Sequence, residues 1–215
     1  MIRILIADDH TLMRDGLKQI LATAGDMRVA GEASDGSQTM DRVRNGHWDL
    51  LLLDMSMPGR SGVDLIKQIK SEKPQLPILV LSMHKEDEYA VRSIRAGASG
   101  YLCKDSASQQ LLSAIRAVAA GGRFISPEVV TNLAFGLILH DDRPPHATLS
   151  DREFLIFHMV AAGDSVADIA ARLNLSAKTV STYKTRVLQK MHMTGVAELI
   201  RYALKHGLLD ETATP

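Results

Sequence analysis

Leu50-Leu51-Leu52-Leu53-Asp54-Met55-Ser56-Met57-Pro58-Gly59 decides the fold: an unbroken apolar run ends on a carboxylate, and a proline–glycine turn signal follows at once. Four consecutive leucines lack the alternation of a half-exposed strand. They read as a strand buried on both faces, the kind found in parallel sheets. Working outward, the same grammar recurs. Ile2-Arg3-Ile4-Leu5-Ile6-Ala7 runs into Asp8-Asp9, Ile78-Leu79-Val80-Leu81 into Ser82, and Tyr101-Leu102-Cys103 into Lys104, with a further apolar run at 28–33. Helical patterns near 10–23, 36–46, 61–72, 85–96 and 106–120 separate these runs. The alternation predicts a doubly wound α/β domain on a five-stranded parallel sheet. Ligands bind such sheets at the carboxyl ends of the strands, and Asp8, Asp9, Asp54, Ser82 and Lys104 all fall there.

Carboxylates brought together repel, so the cluster needs a cation or a proton. Asp8, Asp9 and Asp54 would form a hard, oxygen-rich site suited to Mg2+, an ion that keeps several waters and shares its shell with phosphate oxygens. Asp54 is then a candidate nucleophile, because a carboxylate accepts a phosphoryl group as an acyl phosphate. Phosphoryl transfer depends on positioning and charge neutralisation. Lys104 would pair with one phosphoryl oxygen and the Ser82 hydroxyl would donate to another. Taken singly, each residue has a plainer reading. Asp8-Asp9 could cap the helix starting near His10, Asp54 could open the turn before Pro58, and Ser82 and Lys104 are ordinary loop residues. Their recurrence at successive strand ends favours the site.

The 215 residues suit one or two domains, and the 46% hydrophobic fraction can build real cores. No apolar run approaches the roughly 18 residues of a membrane span. Met1-Ile2-Arg3-Ile4 enters a strand directly, without a secretory layout. The single cysteine, Cys103, excludes an internal disulfide and reads as a small buried hydrophobe in a reducing compartment. A cytoplasmic protein is expected. Bulk charge names no partner, because 25 basic residues balance 25 acidic ones. The local distribution says more: residues 176–191 hold Lys178, Lys184, Arg186 and Lys190 and no acid.

Past Gly121-Gly122 the pattern changes. A possible helix at about 127–139 leads into His140-Asp141-Asp142-Arg143-Pro144-Pro145-His146, a charged, proline-bearing segment that reads as a linker. From Leu149 everything is helical: about 151–162 behind Ser150 and before Gly163, then about 166–173, 177–191 and 195–206, closed by Gly207. The boundaries expected are 1–122 for the α/β domain, 123–146 for the linker, 147–209 for a small all-α domain of four helices, and 210–215 for a tail. Residues 166–185 have helix-turn-helix grammar. Ala170 is small where two helices would cross, Asn174 tolerates a left-handed turn, and Ser176 can cap the second helix. On that helix Val180, Val187 and Met191 fall on the core side. Lys178, Ser181, Thr182 and Thr185 fall near the opposite side, free to enter a major groove. Arg186 lies at the margin, and Lys184 projects nearer the apolar side, where it could snorkel to a phosphate. A generic helical hairpin is the alternative.

The motifs Ile6-Ala7-Asp8-Asp9-His10, Leu51-Leu52-Leu53-Asp54-Met55-Ser56-Met57-Pro58-Gly59, Leu81-Ser82 and Tyr101-Leu102-Cys103-Lys104 resemble the receiver domain of two-component response regulators over about residues 1–120. The resemblance implies that Asp54 accepts phosphate from a sensor histidine kinase. It implies that Asp9, Asp54 and the backbone carbonyl of Ser56 contact Mg2+, with Asp8 acting through water. Ser82 and Tyr101 match its switch pair, in which the hydroxyl moves toward phosphate as the aromatic ring turns inward; a partly buried packing aromatic is the alternative for Tyr101. Ser56 and His84 flank the implied phosphate and bear on its hydrolysis. Receivers often carry proline and a cis peptide after the lysine. Here Asp105 follows, a residue for which cis is rare and which suits capping of a helix from Ser106.

Leu149-Ser150-Asp151-Arg152-Glu153, Ala161-Ala162-Gly163, Asp168-Ile169-Ala170 and the run Leu175 to Tyr183 are similar to the LuxR-type helix-turn-helix over about residues 147–209. Many members carry Asn-Lys-Glu before Ile-Ala; Val166-Ala167-Asp168 lacks that basic residue and, with it, one phosphate contact. The closing helix, with Val196, Leu199, Ile200 and Ala203, resembles the family's dimerisation helix, ordinary core packing being the alternative. Together these resemblances imply a NarL/FixJ-type response regulator: a transcription factor rather than an enzyme, whose phosphorylation controls binding to promoter DNA, with a homodimer formed on phosphorylation or on DNA. One rival is a receiver that works through protein partners without DNA. Another is an aspartyl-phosphate hydrolase, which usually needs a second Asp where Ser56 stands. No Gly-x-Gly-x-x-Gly follows the first strand, which argues against dinucleotide binding.

Overall fold

The structure is a computed structural model and describes residues 1–57, 62–82, 87–126, 130 and 144–209. The chain divides into two compact units, Met1–Leu133 and Ala134–Pro215. In the first, strands β1 (Ile2–Ala7), β2 (Met27–Ala33), β3 (Leu50–Asp54), β4 (Ile78–Ser82) and β5 (Gly100–Cys103) alternate with helices α1 (Thr11–Ala22), α2 (Gly36–Asn45), α3 (Gly62–Glu72), α4 (Asp87–Arg95) and α5 (Ser108–Ala119). The sheet is parallel throughout, in the order β2-β1-β3-β4-β5. Leu50 to Leu53 are all essentially buried, as a strand covered on both faces requires. On one face Ile4, Ile6, Leu50, Leu52, Leu79 and Leu81 form a core with Leu17 and Leu21 of α1 and Leu111, Ile115 and Val118 of α5. The alternate residues Leu5, Leu51, Leu53 and Val80 are equally buried, and α2 and α3 supply Met40, Val43, Leu65, Ile66 and Ile69 to the buried set. The strand order reverses between β1 and β3, which leaves a crevice at their carboxyl ends. Asp8 and Asp54 stand at that crevice.

At the opposite end of β3, Trp48 fastens α2 to the edge strand. Its indole donates to the Arg42 carbonyl at 2.8 Å. The ring fills a notch that only glycine leaves open, because a Cβ at either Gly31 or Gly46 would stand 2.4 Å from its atoms. Gly46→Ala is therefore expected to displace the ring and to cost about 1–3 kcal/mol of stability, as overpacking does. Trp48 is the only tryptophan, so a shift of its fluorescence emission together with a lowered melting temperature checks this directly.

The second unit opens with a 3-10 turn at Pro145–Thr148, followed by α6 (Asp151–Ala161), α7 (Val166–Leu173), α8 (Ala177–Lys190) and α9 (Val196–Lys205). Phe154, Ile156, Phe157, Ile169, Val180, Val187, Leu199 and Ala203 are its buried centre. Ser150, Ser165 and Ser176 each cap a helix by accepting from the backbone N–H three residues on. Asn174 takes the left-handed conformation, φ 52° and ψ 49°, that turns α7 into α8.

One expectation changes in detail. The helix assigned to begin near Ser106 begins at Ser108 with Ala107 as its N-cap, so Asp105 does not cap it; Lys104 to Ser106 form a turn instead, and Ser106 N donates to the Cys103 carbonyl. The segment read as linker contributes to packing at both ends. Phe124 packs on the first unit's core and bridges to Gly100. His146 is buried, with its Nδ1 2.7 Å from the Tyr202 hydroxyl. No peptide among the described residues is cis. The helix expected at 127–139 (apart from Val130), residues 140–143, His84, the Pro58-Gly59 turn and the 210–215 tail lie outside the described residues. Among the described residues no helix is long and apolar enough to cross a membrane.

Candidate functional site

The strand ends bring the expected residues together. Asp8, at the end of β1, and Asp54, at the end of β3, are both essentially buried. Lys104, just past β5, reaches between them: its Nζ donates to Asp8 Oδ2 at 2.8 Å and lies 3.1 Å from Asp54 Oδ2. Ser82 is fully buried at the end of β4, and its carbonyl accepts from Lys104 N at 2.8 Å. Ser56 N donates to Asp54 Oδ1 at 3.2 Å, so the turn-opening reading of Asp54 holds alongside its place in the cluster. The helix-capping reading of Asp8-Asp9 does not hold, because the N-cap of α1 is His10 and no side chain caps it. Asp8 Oδ1 instead accepts from His10 N at 2.8 Å. Tyr101 is half-buried and packs against Ala90 and Val91 of α4, the packing arrangement weighed as its alternative.

Burial holds the Asp54 carboxyl above the ordinary carboxylate range; Lys104 opposes this and the neighbouring Asp8 charge adds to it. Burial alone would pull the Lys104 ammonium down, but the Asp54 charge and the hydrogen bond and charge of Asp8 outweigh it and hold it above its usual value. Asp9 Oδ1 lies 3.0 Å from His10 Nδ1, and Asp54 Oδ2 lies 3.1 Å from Lys104 Nζ. Asp8, Asp9, His10 and Asp54 each offer one ligand-capable atom within 4.8 Å of the others. Three converging carboxylates, two of which share a single lysine, fit a divalent cation.

The site has a support that no sequence pattern singled out. Arg14, one turn into α1, donates from Nη1 to the Asp8 carbonyl at 2.7 Å and from Nε to Glu32 Oε2 at 3.0 Å. It ties the acid-bearing loop to β2. Helical spacing places Arg14 near the start of α1, but its partner Glu32 is legible only from the β1–β2 pairing.

On α8, Val180, Val187 and Met191 point into the core, while Lys178, Ser181, Thr182, Thr185 and Arg186 are exposed and Lys184 is half-buried. The division follows the helical period. Thr182 and Thr185 donate their hydroxyls back to the carbonyls of Lys178 and Ser181 at 2.9 and 3.0 Å. Their free faces are therefore methyl groups and oxygen lone pairs. The Arg186 guanidinium lies 5.9 Å from the centre of the Tyr183 ring. Lys190, counted with the basic run, is tied inward instead: its Nζ donates to Glu153 Oε2 at 2.6 Å. On α9, Leu199 and Ala203 are fully buried in the unit's own core, as ordinary packing would have them. Val196 and Ile200 are half-buried and Leu204 is 44% exposed.

An acid-and-lysine pocket on an α/β unit, joined to a helix-turn-helix with a basic outer face, defines a two-domain regulator. The response regulator receiver domain model matches residues 4–116, and that of the bacterial regulatory proteins of the luxR family matches residues 147–203. Response regulator UvrY of Escherichia coli strain K12 is 38% identical over 211 residues, covering 98% of this chain and 97% of UvrY. Among solved structures, the RcsB response regulator of Salmonella typhimurium superposes with a TM-score of 0.73 at 28% identity, covering 95% of this chain and 98% of that one. RcsB bound to promoter rprA in the presence of the phosphomimetic BeF3− superposes at 0.67, again at 28% identity, over 94% and 97% of the two chains. The chain belongs to the NarL/FixJ-type response regulators, with a receiver domain and a LuxR-type helix-turn-helix domain. It is a regulator of transcription and not an enzyme, and its receiver implies a kinase partner.

Proposed function

We propose that Asp54 is the phosphoacceptor and that its phosphorylation by a sensor histidine kinase controls the binding of α8 to promoter DNA in the cytoplasm. The observation that carries this is the position of Asp54: a buried carboxylate at the switch point of the sheet, flanked by Asp8 and within reach of the Lys104 ammonium. An Asp54 oxygen attacks the phosphorus of a phosphohistidine. The N–P bond breaks, its electron pair returns to the imidazole, which takes up a proton, and an acyl phosphate forms. Asp9, Asp54 and the Ser56 carbonyl would hold Mg2+, with Asp8 acting through water, and the ion would supply positive charge to the phosphoryl oxygens. Lys104 pairs with one of those oxygens and the Ser82 hydroxyl donates to another, while Tyr101 follows Ser82 as the other half of the switch. The working boundaries are 1–122 for the receiver, 123–146 for the linker and 147–209 for the output domain.

In the output domain Lys178, Ser181, Thr182, Thr185 and Arg186 face the major groove and Lys184 reaches a phosphate. A homodimer would place two such helices on half-sites of fixed spacing, with Ile200 and Leu204 of α9 left over from the domain's own core for that contact. The test is footprinting on promoter DNA with and without acetyl phosphate and Mg2+, alongside Asp54→Asn. Protection that tightens with acetyl phosphate in the wild type, and no phosphate incorporation in the variant, is the expected result; undiminished labelling of Asp54→Asn would sink the assignment. Single substitutions separate the DNA contacts. Lys184→Ala should weaken binding to all sequences and reduce the salt slope by about one. Lys178→Ala should instead relax preference at one base pair, by about 1–3 kcal/mol.

A further inference from the structure

At the end of the sheet away from the acids, a cavity of about 560 Å3 opens between the amino ends of β1 and β3 and the carboxyl ends of α2 and α3. That volume is in the range of small-molecule sites. The half-buried Trp48 ring, with Pro74 and Leu76, gives it an apolar wall, and Arg3, His47 and Lys73 bring basic groups to it. Arg3 is the unusual member. Its Nε is buried and has no hydrogen-bond partner, and its guanidinium makes no ion pair among the described residues. The acids nearby leave it unsatisfied. Asp49 Oδ2 accepts from the backbone N–H of Arg3 at 2.8 Å, and Glu72 is taken up by Arg44, whose Nε and Nη2 each donate to it at 2.7 Å. On the neighbouring strand Arg28 stands in register with Arg3. Residues so paired share a face of the sheet, where like charges repel. A permanently charged donor buried without an acceptor is costly. An anion in the cavity would supply the acceptor.

We propose that this cavity is a binding site for a small aromatic anion, a planar ring bearing one carboxylate or phosphate group. The anionic group pairs with Arg3, whose planar fork matches either head group, and Lys73 adds charge at the rim. The ligand's ring lies against Trp48. The indole N–H is already given to the Arg42 carbonyl at 2.8 Å, so Trp48 offers surface rather than a hydrogen bond. Asp49 keeps the net charge of the cavity modest, which suits one anionic group rather than a polyanion. Charge without a ring leaves the apolar wall wet, and a ring without charge leaves Arg3 unpaired. The site stands apart from the phosphate chemistry, since Asp54 lies at the other end of β3.

The test follows the indole N–H resonance of Trp48 in the full chain, a single signal because the chain has one tryptophan. Benzoate and phenyl phosphate are titrated at constant ionic strength, with benzamide as the uncharged ring and acetate as the ringless anion. At least one aromatic anion should shift the signal saturably, with benzamide and acetate at least about tenfold weaker. The tighter of the two names the head group. Arg3→Gln keeps the backbone bond to Asp49 and should weaken binding about tenfold, while Asp54→Asn should bind as the wild type does. If Arg3→Gln loses the amide dispersion of a folded chain, Lys73→Gln, at an exposed position, is read instead and should weaken binding about threefold. No saturable shift with either aromatic anion overturns the proposal. So does benzamide binding equally, which marks the cavity as merely apolar, or acetate binding equally, which marks surface ion binding. Undiminished binding by the folded cavity variant also overturns it, as does loss of binding in Asp54→Asn, which places the anion in the acid pocket.

Discussion

Asp54→Asn should raise the melting temperature of the receiver domain at neutral pH in the absence of divalent cations, by an amount equivalent to about 1–3 kcal/mol. Asp54 is a buried charge facing a second buried carboxylate, and a single lysine serves both. The amide keeps the shape, removes the repulsion and leaves Lys104 paired with Asp8. The pH dependence follows from the raised carboxyl. A group whose folded pKa lies above its unfolded value, about 3.9 for aspartate, contributes stability below that value and loses it as pH rises through the folded pKa. The gap between variant and wild type should therefore be small in acid and widen toward neutral pH. Added Mg2+ should narrow it again by stabilising the wild type. Thermal melts across that range, with chelator and then with Mg2+, check both arms. An Asn variant that melts lower than the wild type at neutral pH would show that the pocket carries no uncompensated charge.

Glu153→Ala should destabilise the output domain by about 0.5–2 kcal/mol, the range for losing a helix cap. Glu153 Oε2 accepts from three donors: Ser150 N at 2.8 Å, Ser150 Oγ at 2.8 Å and Lys190 Nζ at 2.6 Å. Burial works against the ionised form, yet Lys190 and Ser150 together hold the Glu153 carboxyl below its usual range. With the folded pKa depressed, the contribution is present above the unfolded value of about 4.3 and is lost as pH falls through the folded pKa. Wild type and Glu153→Gln should thus differ most near neutral pH and converge in acid. Lys190→Met should reproduce part of the loss, and the double variant should fall short of the sum because the two residues share one contact. Calorimetric or circular-dichroism melts of the full chain resolve this.

The fold was legible because its signals are local. Leucine runs without polar interruption announce doubly buried strands, and parallel strands bring their carboxyl ends to one edge, so Asp8, Asp54 and Lys104 converge although 96 residues separate the first from the last. The buried and exposed faces of α8 follow from helical period alone. What escaped was pairing between residues whose spacing has no period. Arg14 meets Glu32, Lys190 meets Glu153, and His146 meets Tyr202 only once the elements have docked. Asp105 was misplaced for a different reason. Any short polar side chain before a helix reads as a cap, and sequence cannot say how many residues the preceding turn consumes. The faces of α9 were ambiguous because the same spacing serves a core and a partner. Leu199 and Ala203 went to the core.

The tie between Lys190 and Glu153 has a consequence for signalling. It joins the last turn of α8 to the first turn of α6, while Val180 and Val187 anchor the middle of α8 in the core. Helix α8 is bolted at its tail as well as along its inner side. Tilting it would break a charge-assisted bond and expose apolar surface at the same time. A message arriving from the receiver has no inexpensive way to bend this domain, so it must act on when and where the domain is delivered to the double helix, as a tool of constant shape.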